Sequence, residues 1–135
     1  NMVKKYNLKP AVKIIAHCSK AIDPLYFTKA PIYAIKGVLE IANKNAAEID
    51  LYEINEAFSC VPLVAMEELG LDYSKVNIHG GAVALGHPIG CSGTRILVTL
   101  INALKIKKLK YGIASLCIGG GEAAAILVEN CNEDE

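Results

Sequence analysis

The apolar positions of the chain change their spacing several times, and each change predicts a new secondary-structure element. Alternating, β-branched residues over 11–22 predict a strand, and apolar residues at helical spacing from Pro31 to about Ala47 predict a helix. A short apolar run at 49–54 predicts a second strand, and the apolar stretch 57–69 predicts a buried helix that ends at Gly70.

The second half of the chain continues this alternation of strand and helix patterns. Residues 76–78 predict a strand, residues 93–108 a helix, and the apolar runs 113–118 and 123–128 two further strands. Strands that alternate with helices and close with a strand pair are typical of α/β domains. We therefore predict a three-layer α/β/α domain with a mixed sheet of roughly five strands.

Composition predicts a compact soluble domain. The 135 residues are 53% hydrophobic, and fourteen basic side chains balance fourteen acidic ones. A chain without net charge has no general attraction to nucleic acid or to an anionic membrane, and its apolar runs fall short of the about 20 residues that span a bilayer. We expect a domain over residues 10–129, a flexible start at 1–9 and a frayed polar tail at 130–135.

The five cysteines indicate a reducing compartment. Their number is odd, their spacing does not match a metal site, and no secretory signal opens the chain. We expect no peroxisomal address at the carboxyl terminus, where the chain reads Cys131-Asn132-Glu133-Asp134-Glu135. We therefore expect reduced thiols in an intracellular protein of the cytoplasm or the mitochondrion.

His87 lies in a glycine-rich turn between a predicted strand and a predicted helix. Glycines at this turn allow tight bends and the close approach of a ligand, and Pro88 restricts the backbone next to the imidazole. The amino terminus of the following helix favours an anion or a thiolate nearby. An isolated histidine here would more simply hydrogen-bond the loop, so its chemistry depends on what lies beside it.

Asn55 and Glu56 follow the predicted strand 49–54 directly. They therefore lie at the carboxyl end of a strand, where open α/β folds bind their ligands. Asn55 has two equally good interpretations, since it can hold a water or a carbonyl, or it can cap the next helix. For Glu56 we expect a structural role, with hydrogen bonds to the backbone near the turn.

Cys117 ends an apolar strand immediately before three glycines. Glycines beside a thiol leave backbone N–H groups free to form an oxyanion hole. Cys18 and Cys60 fit the ordinary interpretation of inert core cysteines, and Cys91 is expected to be a spectator in a loop. The segment 119–124 also fits a dinucleotide-binding pattern, but too little chain follows it to complete that fold.

The predicted sheet brings Asn55, His87 and Cys117 to the same edge. An amide, an imidazole and a thiol together suit acyl transfer or carbon–carbon bond formation at a thioester. The segments that contain them resemble the thiolase family over nearly the whole chain. They read Asn55-Glu56-Ala57-Phe58, Gly80-Gly81-Ala82 through Gly86-His87-Pro88 to Gly93, and Cys117-Ile118-Gly119-Gly120-Gly121.

The resemblance implies the carboxyl-terminal domain of an acetyl-CoA acetyltransferase, without the half that carries the nucleophilic cysteine. It implies that His87 activates that cysteine and polarises the thioester oxygen, with a water held by Asn55. Cys117 would be the acid/base and the Gly119 N–H an oxyanion donor; an imidazolium nearby can bring a thiol pKa of about 8.5 towards neutrality. Gly86 and the two phenylalanines Phe27 and Phe58 would contact the substrate.

The same resemblance carries expectations about partners. The substrates would be acetyl-CoA and acetoacetyl-CoA, with no covalent cofactor and no metal in the site of this chain. Phe27 is similar to a phenylalanine of the mitochondrial acetoacetyl-CoA thiolases, and the Val83 carbonyl matches one potassium ligand of those enzymes. Such enzymes are homodimers or homotetramers, and this chain alone is expected to be inactive.

Two alternatives remain beside this interpretation. A catalytically silent thiolase-like module for dimerisation or lipid binding would not need Asn55, His87 and Cys117 together. A ketoacyl synthase is disfavoured because its second acid/base is a histidine rather than a thiol. The sequence also departs from the family at Glu122 and Ala123, which places a charge near the floor of the expected site.

Overall fold

A computed structural model describes residues 2–131 of the chain. Five α-helices and four β-strands are formed over these residues, with short 3₁₀ turns between some of them. In chain order they are α1 (Met2–Tyr6), β1 (Val12–Ala21), α2 (Ala30–Ala42), β2 (Leu51–Ile54), α3 (Cys60–Leu69), α4 (Ala82–Leu85), α5 (Ser92–Lys107), β3 (Tyr111–Cys117) and β4 (Glu122–Asn130).

The four strands form one mixed sheet in the order β1-β4-β3-β2. The pairs β1–β4 and β3–β4 are antiparallel, and β2 runs parallel to β3. The parallel pair brings the carboxyl ends of β2 and β3 to the same edge of the sheet. Residues 55–56 and the thiol at the end of β3 therefore lie on one side of the domain.

Helices cover both faces of this sheet, so the predicted three-layer α/β/α arrangement is confirmed. Helices α2 and α3 pack on one face, where Ile35, Val38 and Val61 are fully buried, and α5 packs on the other through Leu100 and Leu104. The period of about 3.6 residues explains why each helix has one apolar stripe to bury against the strands.

The sheet has four strands instead of the five expected, because the predicted strand 76–78 does not form. Val76 makes a single parallel bridge with Tyr52, and the chain then turns away at Asn77, whose φ is +48°. The side-chain amide of Asn77 takes over the pairing, since it accepts from Ile54 N at 2.8 Å and donates to Ile54 O at 2.9 Å. A left-handed backbone conformation cannot continue a strand.

Two helix boundaries also differ from the expected ones. Helix α2 ends at Ala42 rather than near residue 47, because Asn43 adopts the left-handed conformation that ends helices. Residues 46–48 form a separate 3₁₀ turn, capped by the reciprocal hydrogen bonds of Asn45 and Glu48. Helix α3 begins at Cys60, three residues after the expected start at 57.

The two ends of the described chain differ in burial. Helix α1 is exposed throughout, whereas Asn130, which closes β4, is buried and donates to the carbonyl oxygens of Leu104 and Leu109. Residue 1 and most of the expected polar tail, 132–135, lie outside the described residues. Within residues 2–131, no helix has the length and apolarity needed to cross a membrane.

Candidate functional site

A cavity of about 400 Å³ lies at the sheet edge where β2 and β3 end. It is lined by Phe27, Ala57, Phe58, His87, Ile89, Leu116, Cys117, Ile118 and Gly119. These residues come from four separate segments of the chain. The structure thus brings His87, Cys117 and Gly119 to one mostly apolar cavity, together with the two predicted substrate-contacting phenylalanines.

The loop between α4 and α5 holds the imidazole of His87 in place. Helix α4 ends at Gly86, where φ is +91°, a conformation that L residues other than glycine rarely adopt. The Nδ1 atom of His87 makes a short hydrogen bond with Ser92 Oγ and lies 3.5 Å from Asn55 Nδ2. Since Nδ1 is occupied, Nε2 is the ring nitrogen left for a ligand. Gly86 shapes this loop and is not among the residues that line the cavity.

Asn55 lies behind the imidazole and does not cap a helix. Helix α3 begins five residues later, with Ser59 at its amino-terminal cap. The Asn55 side chain is fully buried between His87 and Arg95, whose Nη2 donates to Asn55 Oδ1 at 3.2 Å. The capping interpretation is therefore wrong, and Asn55 contacts the ring of His87 rather than the cavity itself.

Cys117 ends β3 with its thiol on the cavity and is 7% exposed. Burial raises the pKa of the Cys117 thiol, and the nearby Cys60 adds a smaller upward effect. The expected shift of this pKa towards neutrality is therefore not found in this chain. A raised pKa favours the protonated thiol, which is a proton donor.

The glycines after Cys117 form a tight turn into β4. Gly121 has φ of +97°, and a Cβ atom there would collide with the carbonyl oxygen of Ile22 and with Pro24. Gly119 faces the cavity, and among residues 2–131 no backbone acceptor takes its N–H. A free N–H next to a thiol is a suitable donor for an oxyanion.

Phe27 and Phe58 form an apolar wall of the cavity. Their ring centroids are 6.0 Å apart and their planes meet at 73°, an edge-to-face arrangement typical of aromatic pairs. Phe27 comes from the turn after β1 and Phe58 from the segment before α3. The wall offers apolar contacts to a ligand.

Glu56 has the structural role that the sequence predicts. Its carboxylate accepts from the backbone N–H of Val83 at 3.0 Å and from Asn77 Nδ2 at 3.1 Å. It thereby ties the end of β2 to the start of α4. Gly81 makes room for it, because a Cβ at that position would collide with the Glu56 carboxylate.

Sequence reasoning missed a buried ion pair next to the site. Glu53 is 2% exposed, and its Oε2 lies 3.5 Å from Nη1 of Arg95. Burial raises the pKa of Glu53 to about 7, against the lowering effect of the Arg95 charge. A signal was present: Glu53 interrupts an apolar strand, and Arg95 is the one arginine among the fourteen basic residues.

Among the residues that line the cavity, Cys117 is the one cysteine. Cys91 is exposed in the loop before α5, as expected of a spectator. Cys60 is exposed and Cys18 half-buried, so the interpretation of Cys60 as a core residue is wrong. Cys60 opens helix α3 and is exposed, although it is close enough to Cys117 to affect the pKa of that thiol. In the described part of the chain, no three His, Cys, Asp or Glu side chains are grouped to hold a metal ion.

Glu122, one of the two unusual residues after the glycines, lies at the first position of β4. Its side chain is exposed and extends beside Gly120, where an added Cβ would meet its carboxylate. Glu122 is not among the residues that line the cavity. Its charge lies beside the glycine turn instead.

Comparison with known proteins gives consistent matches. Residues 8–130 match the family described as thiolase, C-terminal domain. Acetyl-CoA acetyltransferase 1 of Arabidopsis thaliana is 51% identical over 121 residues, and the mitochondrial acetyl-CoA acetyltransferase of Mus musculus is 48% identical over 126 residues. These alignments cover 90% and 93% of this chain, and 29% of each relative.

Solved structures agree with these sequence matches. The crystal structure of the Bacillus anthracis acetyl-CoA acetyltransferase matches with a TM-score of 0.93 at 43% identity, and human mitochondrial 3-ketoacyl-CoA thiolase in complex with CoA matches with 0.93 at 40%. Each match covers 96% of this chain and 33% of the other. The chain thus spans about a third of the length of its relatives, and over that span it belongs to the thiolase family, as its carboxyl-terminal domain.

Proposed function

We propose that this chain supplies one wall of the active site of an acetyl-CoA acetyltransferase. The complete enzyme would join two molecules of acetyl-CoA, or cleave acetoacetyl-CoA with CoA. The observation that carries the proposal is the convergence of His87, Cys117 and Gly119 on one apolar cavity in a member of the thiolase family. Members of that family with known structure include one in complex with CoA.

His87 and Gly119 are proposed to act on oxygen atoms. The Nε2 atom of His87 would face the thioester carbonyl, with Asn55 behind the ring. The N–H of Gly119 would stabilise the oxyanion formed when the nucleophilic cysteine, which this proposal places outside the present chain, attacks the substrate. Removal of one such donor typically costs about 3 kcal/mol of transition-state stabilisation.

Cys117 is proposed to move the proton at the acetyl methyl carbon. In cleavage, the nucleophilic cysteine adds to the keto carbon of acetoacetyl-CoA, and the bond from this carbon to the α-carbon breaks. The electron pair stays on the α-carbon of the departing acetyl-CoA, which takes a proton from the Cys117 thiol, and the other acetyl group stays on the nucleophile until CoA accepts it. In condensation the thiol must first lose its proton, and the thiolate then removes one from the methyl group of acetyl-CoA. The raised pKa of Cys117 supports the donor role.

Phe27 and Phe58 are proposed to select short acyl groups. The two rings stand edge to face across the apolar side of the cavity. Contact with an acyl chain needs only apolar surface of the right shape, whereas a polar substrate tail would lose hydrogen bonds to water there. Gly86 would keep the loop that carries His87 close to the substrate.

Potassium activation of the complete enzyme is supported by one oxygen ligand only. Val83 lines a second cavity of about 290 Å³, beside Glu56 and Asn77. The oxygen atom Oε2 of Glu56 is already taken by the Val83 N–H. Hard cations take several oxygen ligands, so the residues of this chain do not fit a complete potassium site.

The complete enzyme is proposed to be a homo-oligomer of the cytoplasm or the mitochondrion. The partners would be the amino-terminal thiolase domain and further copies in a homodimer or homotetramer. Relatives include one named as cytosolic and others named as mitochondrial. Exposed apolar side chains near the site, such as Leu85 and Ile89, favour a surface that another part of the enzyme covers.

The proposal is tested on this chain joined to the amino-terminal part of a thiolase. We expect His87→Ala and Cys117→Ala each to lower kcat for acetoacetyl-CoA thiolysis by about a hundredfold or more, because each removes a group at the reacting atoms. Matched controls are His17→Ala on β1 and Cys91→Ala in an exposed loop, which should leave kcat unchanged. Absence of turnover in the joined wild-type protein would instead favour the silent module.

A further inference from the structure

A smaller cavity lies beside the one that contains His87, Cys117 and Gly119. The larger of the two, the catalytic cavity, has a volume of about 400 Å³. The smaller one, the side cavity, has a volume of about 170 Å³ and lies between helix α5 and the sheet. Leu116 of β3 lines both, and it is the one residue that their linings share. The two cavities therefore meet at Leu116.

The side chain of Leu116 faces helix α5. Leu116 packs, partly buried, against the cluster that includes Ile96 and Leu100 of α5, whereas Cys117 belongs to the cluster on the opposite face of the sheet. Successive side chains of a strand point to opposite faces, which explains this division. A Cβ atom at Gly93, in the first turn of α5, would lie 3.9 Å from Leu116 Cδ1. The leucine side chain therefore fills the space between the end of β3 and the start of α5.

Small and apolar residues form most of the lining of the side cavity. They are Gly93, Ile96 and Leu97 of α5 and Ala114, Ala124 and Ile126 of the strands beneath it, and β1 adds its polar residues His17 and Ser19. An apolar cavity of about 150 Å³ is large enough to hold benzene. The side cavity thus has room for several carbon atoms of an alkyl chain, which gains free energy when it leaves water.

We propose that Leu116 is a specificity-determining residue, which closes the catalytic cavity towards the side cavity and so limits the length of the acyl group. The inference rests on the proposed function, because it concerns the acyl substrate of the same site. With leucine at this position the acyl group stays short, as in acetoacetyl-CoA. With a smaller residue, the side cavity receives the end of a longer chain, such as that of 3-oxohexanoyl-CoA.

The cross-strand partner of Leu116 allows a reciprocal swap. Leu116 pairs with Ala124 across β3 and β4, and both residues line the side cavity. Side chains directly opposite each other in an antiparallel pair have Cβ atoms about 4.5–5.5 Å apart. A leucine at position 124 can therefore fill the space that Leu116→Ala empties.

The test is thiolysis of acetoacetyl-CoA and of 3-oxohexanoyl-CoA by this chain joined to the amino-terminal part of a thiolase. The ratio of the two kcat/KM values is compared between variants. We expect the wild type to favour acetoacetyl-CoA. Leu116→Ala should shift the ratio about tenfold towards the six-carbon substrate, because two more methylene groups can then be buried. The double variant Leu116→Ala/Ala124→Leu should return the ratio to within about threefold of the wild-type value.

Leu97→Ala is the matched control. Leu97 lines the side cavity but not the catalytic one, so its truncation enlarges the side cavity and leaves Leu116 in place. It should keep the wild-type ratio. If Leu116→Ala does not fold, Leu116→Val removes less volume and should shift the ratio in the same direction by a smaller factor. A wild type that cleaves both substrates equally, an unchanged ratio in Leu116→Ala, or the same shift in Leu97→Ala overturns the inference.

Ligand binding gives a readout that does not need turnover. The S-ethyl and S-hexyl thioethers of CoA cannot transfer an acyl group, and calorimetric titration gives their Kd values for the joined protein. In Leu116→Ala the ratio of these values should shift about tenfold towards the hexyl compound, and in Leu97→Ala it should not shift. If the joined wild type does not cleave acetoacetyl-CoA, the proposed function fails and the Kd ratio alone decides the inference. An active wild type with no shift in Leu116→Ala overturns the inference and leaves the proposed function standing.

Discussion

Glu53 makes the stability of the domain depend on pH in an unusual direction. Burial raises the pKa of this carboxyl from 4.5 to about 7. Between these two values the folded chain keeps a proton that the unfolded chain has lost. The free energy of unfolding must then fall as pH rises, which is opposite to the behaviour of an ordinary paired carboxylate.

We predict that the ionisation of Glu53 lowers the free energy of unfolding by about 3 kcal/mol as the pH rises from 4.5 to 7. Glu53→Gln removes the titration, so urea unfolding of both proteins across this range isolates the effect in their difference. Carboxyls with a lowered pKa, such as Glu48 and Asp72, are present in both proteins and cancel. A difference that stays constant with pH would contradict the prediction.

Single residues also show which chemistry could be predicted from sequence. His87 and Cys117 were identifiable because glycines and a proline surround them in a pattern that packing alone does not require. The role of Glu56 was predictable from its position after a strand. The ion pair of Glu53 with Arg95 was not, because 42 residues separate its members along the chain.

At the scale of elements, the glycine turn between β3 and β4 positions the site. Ile22 N donates to Gly121 O and Gly121 N to Ile118 O, so the turn is tied both to its own strand and to the segment after β1. The thiol of Cys117 and the N–H of Gly119 project from this turn. Its geometry depends on a residue without a side chain at position 121.

We predict that Gly121→Ala lowers the free energy of unfolding by about 1–3 kcal/mol, or more if the strand ends must shift. A Cβ atom there is strained by the positive φ and collides with the Ile22 carbonyl. Gly90→Ala is the matched control, because its Cβ would have no atom within 4 Å and its φ is not positive. Thermal unfolding of the two variants compares them directly, and equal effects would exclude the steric explanation.

Most elements were predictable, because apolar spacing reports which side of a helix or strand is buried. The strand 76–78 was not, since its pattern fits a strand but Asn77 uses its side-chain amide on Ile54 instead of backbone pairing. The end of α2 was missed for a related reason. Asn43 stops the helix by its left-handed backbone, and the apolar pattern continues beyond it.

At the scale of the whole molecule, this chain spans about a third of the length of its relatives. Its cavity opens beside exposed apolar side chains, among them Ile89 at 86% exposure. The residues that line the cavity include the proposed acid/base Cys117 and the proposed oxyanion donors His87 and Gly119. The nucleophile of the proposed reaction must come from outside the chain.

We predict that the 135-residue chain alone does not cleave acetoacetyl-CoA, and that joining it to the amino-terminal part of a thiolase gives turnover. The measurement is the loss of acetoacetyl-CoA in the presence of CoA. A joined protein that carries Cys117→Ala is the control for trace contamination. Turnover by the isolated chain would refute this division of labour.

The sequence by itself determined the α/β class, the order of most elements and the three segments that carry Asn55, His87 and Cys117. These follow from apolar periodicity and glycine placement, which are local properties of the chain. Only the tertiary structure decided that the sheet has four strands and that burial raises the pKa of Cys117. It also decided that Arg95 contacts both Asn55 and Glu53. These depend on contacts between distant segments, and burial and hydrogen bonding exist only once those segments have packed together.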